Sequence, residues 1–322
     1  MCMHLKNELH LNPNMHLTCT NVTKDKVAST LENCRAAGIM NIVALRGDPP
    51  LGETAWKVSE EGFTCALDLV QYIRKEHGDF FNISVAGYPE GHPNSMTKLS
   101  DNSDNDKLSE TEKKRSSLFK SEDNDGIDDV IYVCKDADYE NELKYLKKKV
   151  DAGANCIITQ LFFDVNVFLS FVASCRAIGI TVPIIPGIMC VSSVGGFKRM
   201  TSFCRTRVPS SLMDRINAVT DDMEMKELSI DIGTEMCLKL IDANIRELHF
   251  YTLNTSNVME GILNNLRGLS FHFFQSSSLQ SFSCSSPLTN DTVFDAMVDR
   301  VLVNGDSEND GSTTNQIVSV AN

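Results

Sequence analysis

Residues 41–50 are Asn-Ile-Val-Ala-Leu-Arg-Gly-Asp-Pro-Pro. The apolar run 42–45 has the length and β-branched content of a buried strand. It stops abruptly at Arg46, Gly47 and Asp48, and Pro49 forbids its continuation. Polar groups at the carboxyl end of a core strand are where parallel α/β proteins place their chemistry. The same residues would also make an ordinary strand-ending turn with a surface ion pair. This segment by itself leaves both readings open.

The flanking sequence repeats the arrangement. A stretch ending His16-Leu-Thr18 precedes it, and Thr23 then caps a helix with Val27, Leu31 and Cys34 on one face, stopped by Gly38. After it, Phe63, Ala66, Leu67, Val70 and Ile73 fall at helical spacing as far as Gly78. A strand over 82–87 runs into Tyr88-Pro-Glu-Gly-His-Pro93. Beyond an interruption come a helix with Tyr139, Leu143, Leu146 and Val150, a strand over 156–163 and a helix over 165–177. A strand over 182–185 ends in Pro186-Gly187; helices over 195–205, 210–219 and 223–243, a strand over 248–253 and a helix over 258–267 follow.

Six strand-then-helix units in series predict a parallel sheet covered on both faces. His16, Arg46 with Asp48, Tyr88 with His92, Gln160, and Tyr251 with Asn254 all fall at or just past the carboxyl ends of different strands. One such residue is noise; five strands doing so point to one shared site at the top of a barrel or open sheet. No glycine fingerprint or P-loop accompanies them, and the pair Gly195-Gly196 is too weak to count.

The interruption, about 94–135, is rich in Ser, Asn, Asp, Glu and Lys and is expected to be a disordered acidic insertion, with a short ordered stub at 131–134. From residue 269 onward the chain is expected to be a low-order tail, giving a domain at 1–268 and a tail at 269–322.

The bulk numbers limit the function. Of 322 residues 42% are hydrophobic, enough for a real core, and the formal net charge is −13, which argues against a nucleic-acid or anionic-membrane partner. Eleven cysteines without a Cys-x-x-Cys pair fit a reducing cytoplasm rather than a disulfide framework or a zinc site. No stretch approaches the ~18–20 apolar residues of a membrane span, and the first ten residues carry no secretory signal. The oligomeric state is left open, a homo-oligomer included.

Several stretches together resemble the methylenetetrahydrofolate reductase family. They are His16-Leu-Thr-Cys-Thr-Asn21, residues 41–49, Val85-Ala-Gly-Tyr-Pro-Glu-Gly-His-Pro93, Leu146-Lys-Lys-Lys-Val-Asp-Ala-Gly-Ala154, Ile157-Ile-Thr-Gln-Leu-Phe-Phe163, Pro183-Ile-Ile-Pro-Gly-Ile188 and Leu248-His-Phe-Tyr-Thr-Leu-Asn254. The resemblance covers roughly 15–268. It implies a (β/α)8 TIM-type barrel binding FAD at its carboxyl face. Carried over residue by residue, His16, Arg46, Gly47, Asp48, Cys65, Ala66, Tyr88, His92 and Pro93 fall on flavin-contacting positions, with Glu142 on a site usually held by Asp. Lys149 matches the cationic contact to the FAD pyrophosphate, and Asp48, Gln160 and Tyr251 match folate-holding positions. The implied reaction is reduction of 5,10-methylenetetrahydrofolate to 5-methyltetrahydrofolate, with NAD(P)H as co-substrate.

The sequence departs from the family pattern. The family's first two strands have no counterpart, so the barrel is expected to be incomplete. The glutamate that serves as general acid goes with them, and folate reduction is expected to be the weaker half-reaction. Thr255 stands where an arginine often contacts folate, and the carboxyl-terminal regulatory domain has no counterpart. A non-catalytic truncated barrel that binds flavin or folate weakly, or acts through a partner, is the alternative.

Overall fold

A computed structural model describes residues 1–19, 22–47, 62–99, 106–120 and 129–276. The amino-terminal helix α1 (Cys2–Asn7) leads into β1 (Asn14–Thr18), α2 (Lys24–Ala36) and β2 (Asn41–Leu45). The next pair is α3 (Ala66–His77) and β3 (Asn82–Gly87). A small inserted unit holds β4 (Thr97–Lys98), α4 (Glu110–Lys114), β5 (Ser116–Lys120) and β6 (Asp129–Val133). Then come α5 (Asp136–Asp151), β7 (Cys156–Leu161), α6 (Val165–Ala177) and β8 (Ile184–Met189). Three helices, α7 (Val194–Cys204), α8 (Ser210–Asn217) and α9 (Asp222–Asp242), precede β9 (His249–Tyr251) and α10 (Asn257–Ser276).

The large sheet has six strands in the order β1-β2-β3-β7-β8-β9, every pair parallel. Each strand lies beside the next one in the chain, with no reversal of order. That is the winding of a barrel rather than of a doubly wound sheet, in which the order reverses at a switch point. The sheet curls into an open section of a TIM-type barrel: His16 on β1 and His249 on β9, at its two ends, line one cavity.

Alternation along the strands explains the two layers. Ile42, Ala44, Ile83, Val85, Ile157, Ile184 and Phe250 point outward into the main core beneath the helices. Val43, Cys156, Ile158 and Ile185 face inward and form a second cluster within the curl. The helix starts are capped where short polar side chains allow. Thr23 accepts from Lys26 N, Asp164 Oδ1 from Asn166 N at 3.0 Å, and Ser193 from Gly196 N. The Gly195-Gly196 pair therefore belongs to a helix start.

The insertion departs from expectation. Within 94–135 the described residues form an antiparallel sheet, β4-β6-β5, rather than a disordered segment. Few apolar residues are required because Met96 and Cys134 join the main core. A capping box of Ser109 and Glu112 starts α4. Arg115 is buried, pairs with Asp136 and lies 4.2 Å from the Tyr139 ring. The tail boundary also moves: α10 continues to Ser276, eight residues past 268, and residues 277–322 lie outside the described residues.

One arginine ties three elements together. Arg74 donates to Gly78 O at 2.9 Å, Phe81 O at 2.8 Å, Gly153 O at 2.7 and 3.0 Å, and Asn155 Oδ1 at 2.6 Å. Asn155 Oδ1 in turn accepts from Ile83 N, fixing the entry to β3. Arg74→Ala would leave several half-buried carbonyls short of a donor, a cost of about 2–3 kcal/mol. Thermal unfolding should show a Tm lower by roughly 5–10 °C, and an unchanged Tm would refute this.

Candidate functional site

Two adjoining cavities open where the parallel strands end. The first, about 340 Å³, takes His16 from β1, Arg46 and Gly47 from just past β2, and Tyr88 from just past β3. Gln160 of β7 and His249 and Tyr251 of β9 complete the polar lining, and Met200, Phe203 and Cys204 of α7 add an apolar wall. The second, about 370 Å³, is lined by Arg46, Cys65, Ala66, Tyr88, His92, Glu142, Tyr145 and Lys149, with Asn94 and Ser95. The two share Leu45, Arg46, Ala86 and Tyr88, so a bound molecule can extend from one to the other.

The second cavity holds a buried cation. Lys149 is 5% exposed, donates to Ala86 O at 2.8 Å and lies 5.1 Å from the Tyr145 ring. Burial lowers its pKa to about 8, with the Glu142 carboxylate opposing the fall. An ammonium carries three donors, and the bond to Ala86 uses one. Glu142 accepts from Ser95 Oγ at 2.5 Å, which joins α5 to the loop after β3. On that loop His92 packs against Tyr88, centroids 4.6 Å apart, and accepts from Asn94 N at 3.0 Å. Pro93 opens a short 3-10 turn and its carbonyl accepts from Arg205. Cys65 stands at the N-cap position of α3 and Ala66 is that helix's first residue.

In the first cavity, Gln160 Oε1 accepts from Leu161 N at 2.9 Å, so its NH2 group is the end offered to a ligand. Tyr251 donates its hydroxyl to Thr159 O at 2.8 Å, and burial raises its pKa, keeping it a phenol. His249 packs edge-on against Tyr251 at 4.5 Å, and burial drops its pKa to about 4, with His16 adding to the fall. His16 is lowered too, by partial burial. Both rings are therefore neutral near pH 7 and serve as hydrogen-bonding groups rather than as acids.

Of the described candidates, all except Pro93 and Asn254 line one of these two cavities. Asp48, placed by resemblance against both flavin and folate, lies outside the described residues. Sequence reasoning missed Tyr145 and His249. The signals were present: Tyr145 stands one helical turn before Lys149, and His249 shares the inward face with Tyr251.

The model of the methylenetetrahydrofolate reductase family matches residues 1–117 and 126–267. The chain belongs to this family. "Methylenetetrahydrofolate reductase (NADH) 1" of Zea mays is 43% identical over 263 residues, 81% of this chain and 39% of that protein. "Methylenetetrahydrofolate reductase 2" of Saccharomyces cerevisiae is 36% identical over 80% of this chain and 37% of its own length. The 5,10-methylenetetrahydrofolate reductase of Escherichia coli is 33% identical, covering 81% of this chain and 72% of its own. The chain thus spans about two-fifths of the length of its plant relatives. A solved structure titled as an uncharacterised protein from Clostridium thermocellum that binds two copies of 5-methyl-5,6,7,8-tetrahydrofolic acid aligns over 80% of this chain and 75% of its own. Its TM-score of 0.42 at 13% identity is too slight to argue from.

Within this methylenetetrahydrofolate reductase relative, no helix of the described residues is long and apolar enough to cross a membrane.

Proposed function

We propose that the chain binds FAD across the two cavities and uses NAD(P)H to reduce 5,10-methylenetetrahydrofolate to 5-methyltetrahydrofolate. The observation that carries this reading is the buried Lys149, an ammonium with spare donors on the lining of the second cavity. A diphosphate is the anion whose charge and acceptors suit it, with Arg46 on the same lining as a second cation. Bound FAD would supply the hydride relay between nicotinamide and folate.

The protein's own groups supply binding and orientation. The Tyr88–His92 ring pair gives a flat aromatic edge for an isoalloxazine. In the first cavity the Gln160 amide donates and the Tyr251 oxygen accepts, matching the mixed donor and acceptor edge of a pterin. Met200 and Phe203 give that cavity an apolar wall.

The direct test is reconstitution with FAD, followed by flavin reduction with NAD(P)H and reoxidation by methylenetetrahydrofolate. Failure to bind FAD at micromolar concentration would overturn the reading. Gln160→Ala removes a neutral hydrogen-bonding group worth about 1–1.5 kcal/mol. The KM for folate should rise about tenfold, and an unchanged KM would exclude Gln160 from the folate contact.

A further inference from the structure

Glu90 lies outside both cavities, yet it is the residue on which three loops of the carboxyl face converge. It is 6% exposed, between Tyr88 and His92 on the loop after β3. Its Oε2 accepts from Arg207 N, in the segment between α7 and α8, at 2.8 Å. Among the described residues its Oε1 is buried with no hydrogen-bond partner. The nearest guanidinium is already committed: Arg207 Nη1 holds Asp164 Oδ2 at 2.6 Å, and Asp164 caps α6 just beyond Gln160. Two residues earlier, Arg205 reaches the same loop, donating to Pro93 O at 2.5 Å and Met96 O at 3.3 Å. Gly91, at φ +94°, lies against Cys134 with no room for a side chain of its own.

We propose that Glu90 is a positioning residue for the cofactor: a neutral, buried carboxyl that latches the Tyr88–His92 loop to the 205–207 segment and releases it on ionising. The inference rests on the flavin reading for its function, though not for its geometry. An ionised carboxylate buried without a free cation carries a large desolvation cost, which is met by protonation or by exposure. Arg207 favours ionisation, through its amide hydrogen bond and its guanidinium charge, and Asp164 opposes it, so only the cost of burying the charge can draw the ionised carboxylate outward. His92 on its own loop and the Cys134 thiol, pushed up to about 12 by burial, are the neighbouring titratable groups. Burial dominates and raises Glu90 to about 8. The acid is therefore neutral at pH 6.5 and ionised at pH 9.5, where its release would free the Arg207 amide and loosen the flavin-facing rings.

The test compares wild type, Glu90→Gln and Glu90→Ala. The first measurement needs no flavin. After correction for intrinsic rates, hydrogen exchange at the Arg207 amide should speed up at least tenfold in wild type between pH 6.5 and 9.5, and stay within about threefold in Glu90→Gln. Equal pH dependence in the two proteins would overturn the latch. The second is FAD affinity at pH 7. Glu90→Gln, which keeps the acceptor and the shape, should stay within about threefold of wild type, while Glu90→Ala weakens binding tenfold or more. Wild-type affinity in Glu90→Ala would also overturn it. Failure of all three to bind FAD would strike the proposed function instead, and the amide measurement would still decide the latch.

Discussion

Lys149→Met is expected to purify without flavin, its FAD affinity lowered about a hundredfold or more, while the apoprotein becomes more stable near neutral pH. The two effects share one cause. Lys149 is held at 5% exposure with its pKa lowered from 10.5 to about 8, so folding disfavours the charged form. Between pH 8 and 10.5 the unfolded chain binds a proton that the folded chain does not, and stability rises with pH across that window. Below pH 8 the full cost of the buried charge is present. A fall from 10.5 to about 8 corresponds to about 3 kcal/mol. Methionine removes that cost, fills most of the space and forgoes the bond to Ala86, worth ~1 kcal/mol. The net gain is about 2 kcal/mol at pH 7, and the pH slope between 8 and 10.5 should shrink. Bound diphosphate would supply the missing counter-charge, so wild-type FAD affinity should fall as pH rises past 8. Denaturant unfolding with and without FAD checks both effects. A Lys149→Met protein that binds FAD normally would remove this residue from the cofactor site.

The parts of the fold legible in the sequence were those whose physics is local. The run 42–45 became β2 because four apolar residues between polar ends can only be core, and His16, Arg46, Tyr88, Gln160 and Tyr251 from five strand ends line one cavity, while Asn254 does not. Pro186 misled. In the sequence it reads as the end of a strand over 182–185, whereas β8 runs from Ile184 through Pro186 and Gly187 to Met189. A proline cannot donate to the ladder, and here the pairing with β7 is irregular between Ile158 and Leu161, which accommodates it. Apart from the ordered stub at 131–134, which overlaps β6, the inserted sheet was invisible for a different reason. It is held by caps, by the pairing of buried Arg115 with exposed Asp136 and by a few apolar residues lent to a core elsewhere, and none of these gives a periodic signal. Glu90 was hidden in the same way. Its burial depends on Arg207, 117 positions away in the chain, and composition carries no trace of that contact.

Gly187→Ala is expected to damage the folate end of the site far more than its single methyl suggests. Gly187 sits mid-strand in β8, opposite His249, and its amide donates to Thr159 Oγ1 at 3.0 Å. A Cβ there would collide with the Thr159 carbonyl and come within 2.5 Å of the Tyr251 ring. The same carbonyl anchors the Tyr251 hydroxyl, so a methyl placed between them disturbs both ends of one hydrogen bond. The backbone oxygen cannot rotate away as a flexible side chain would, and overpacking of this kind costs about 1–3 kcal/mol. The ring moves instead, and with it the acceptor proposed to face the pterin. The KM for folate should rise tenfold or more, while FAD affinity, set mainly in the second cavity, changes by less than about threefold. Tyr251→Phe separates the two contributions, since it removes the hydroxyl and leaves the ring unobstructed; its defect should be the milder. If Gly187→Ala kept both the wild-type Tm and the wild-type folate KM, the close packing of β8 on Tyr251 would have no part in substrate binding.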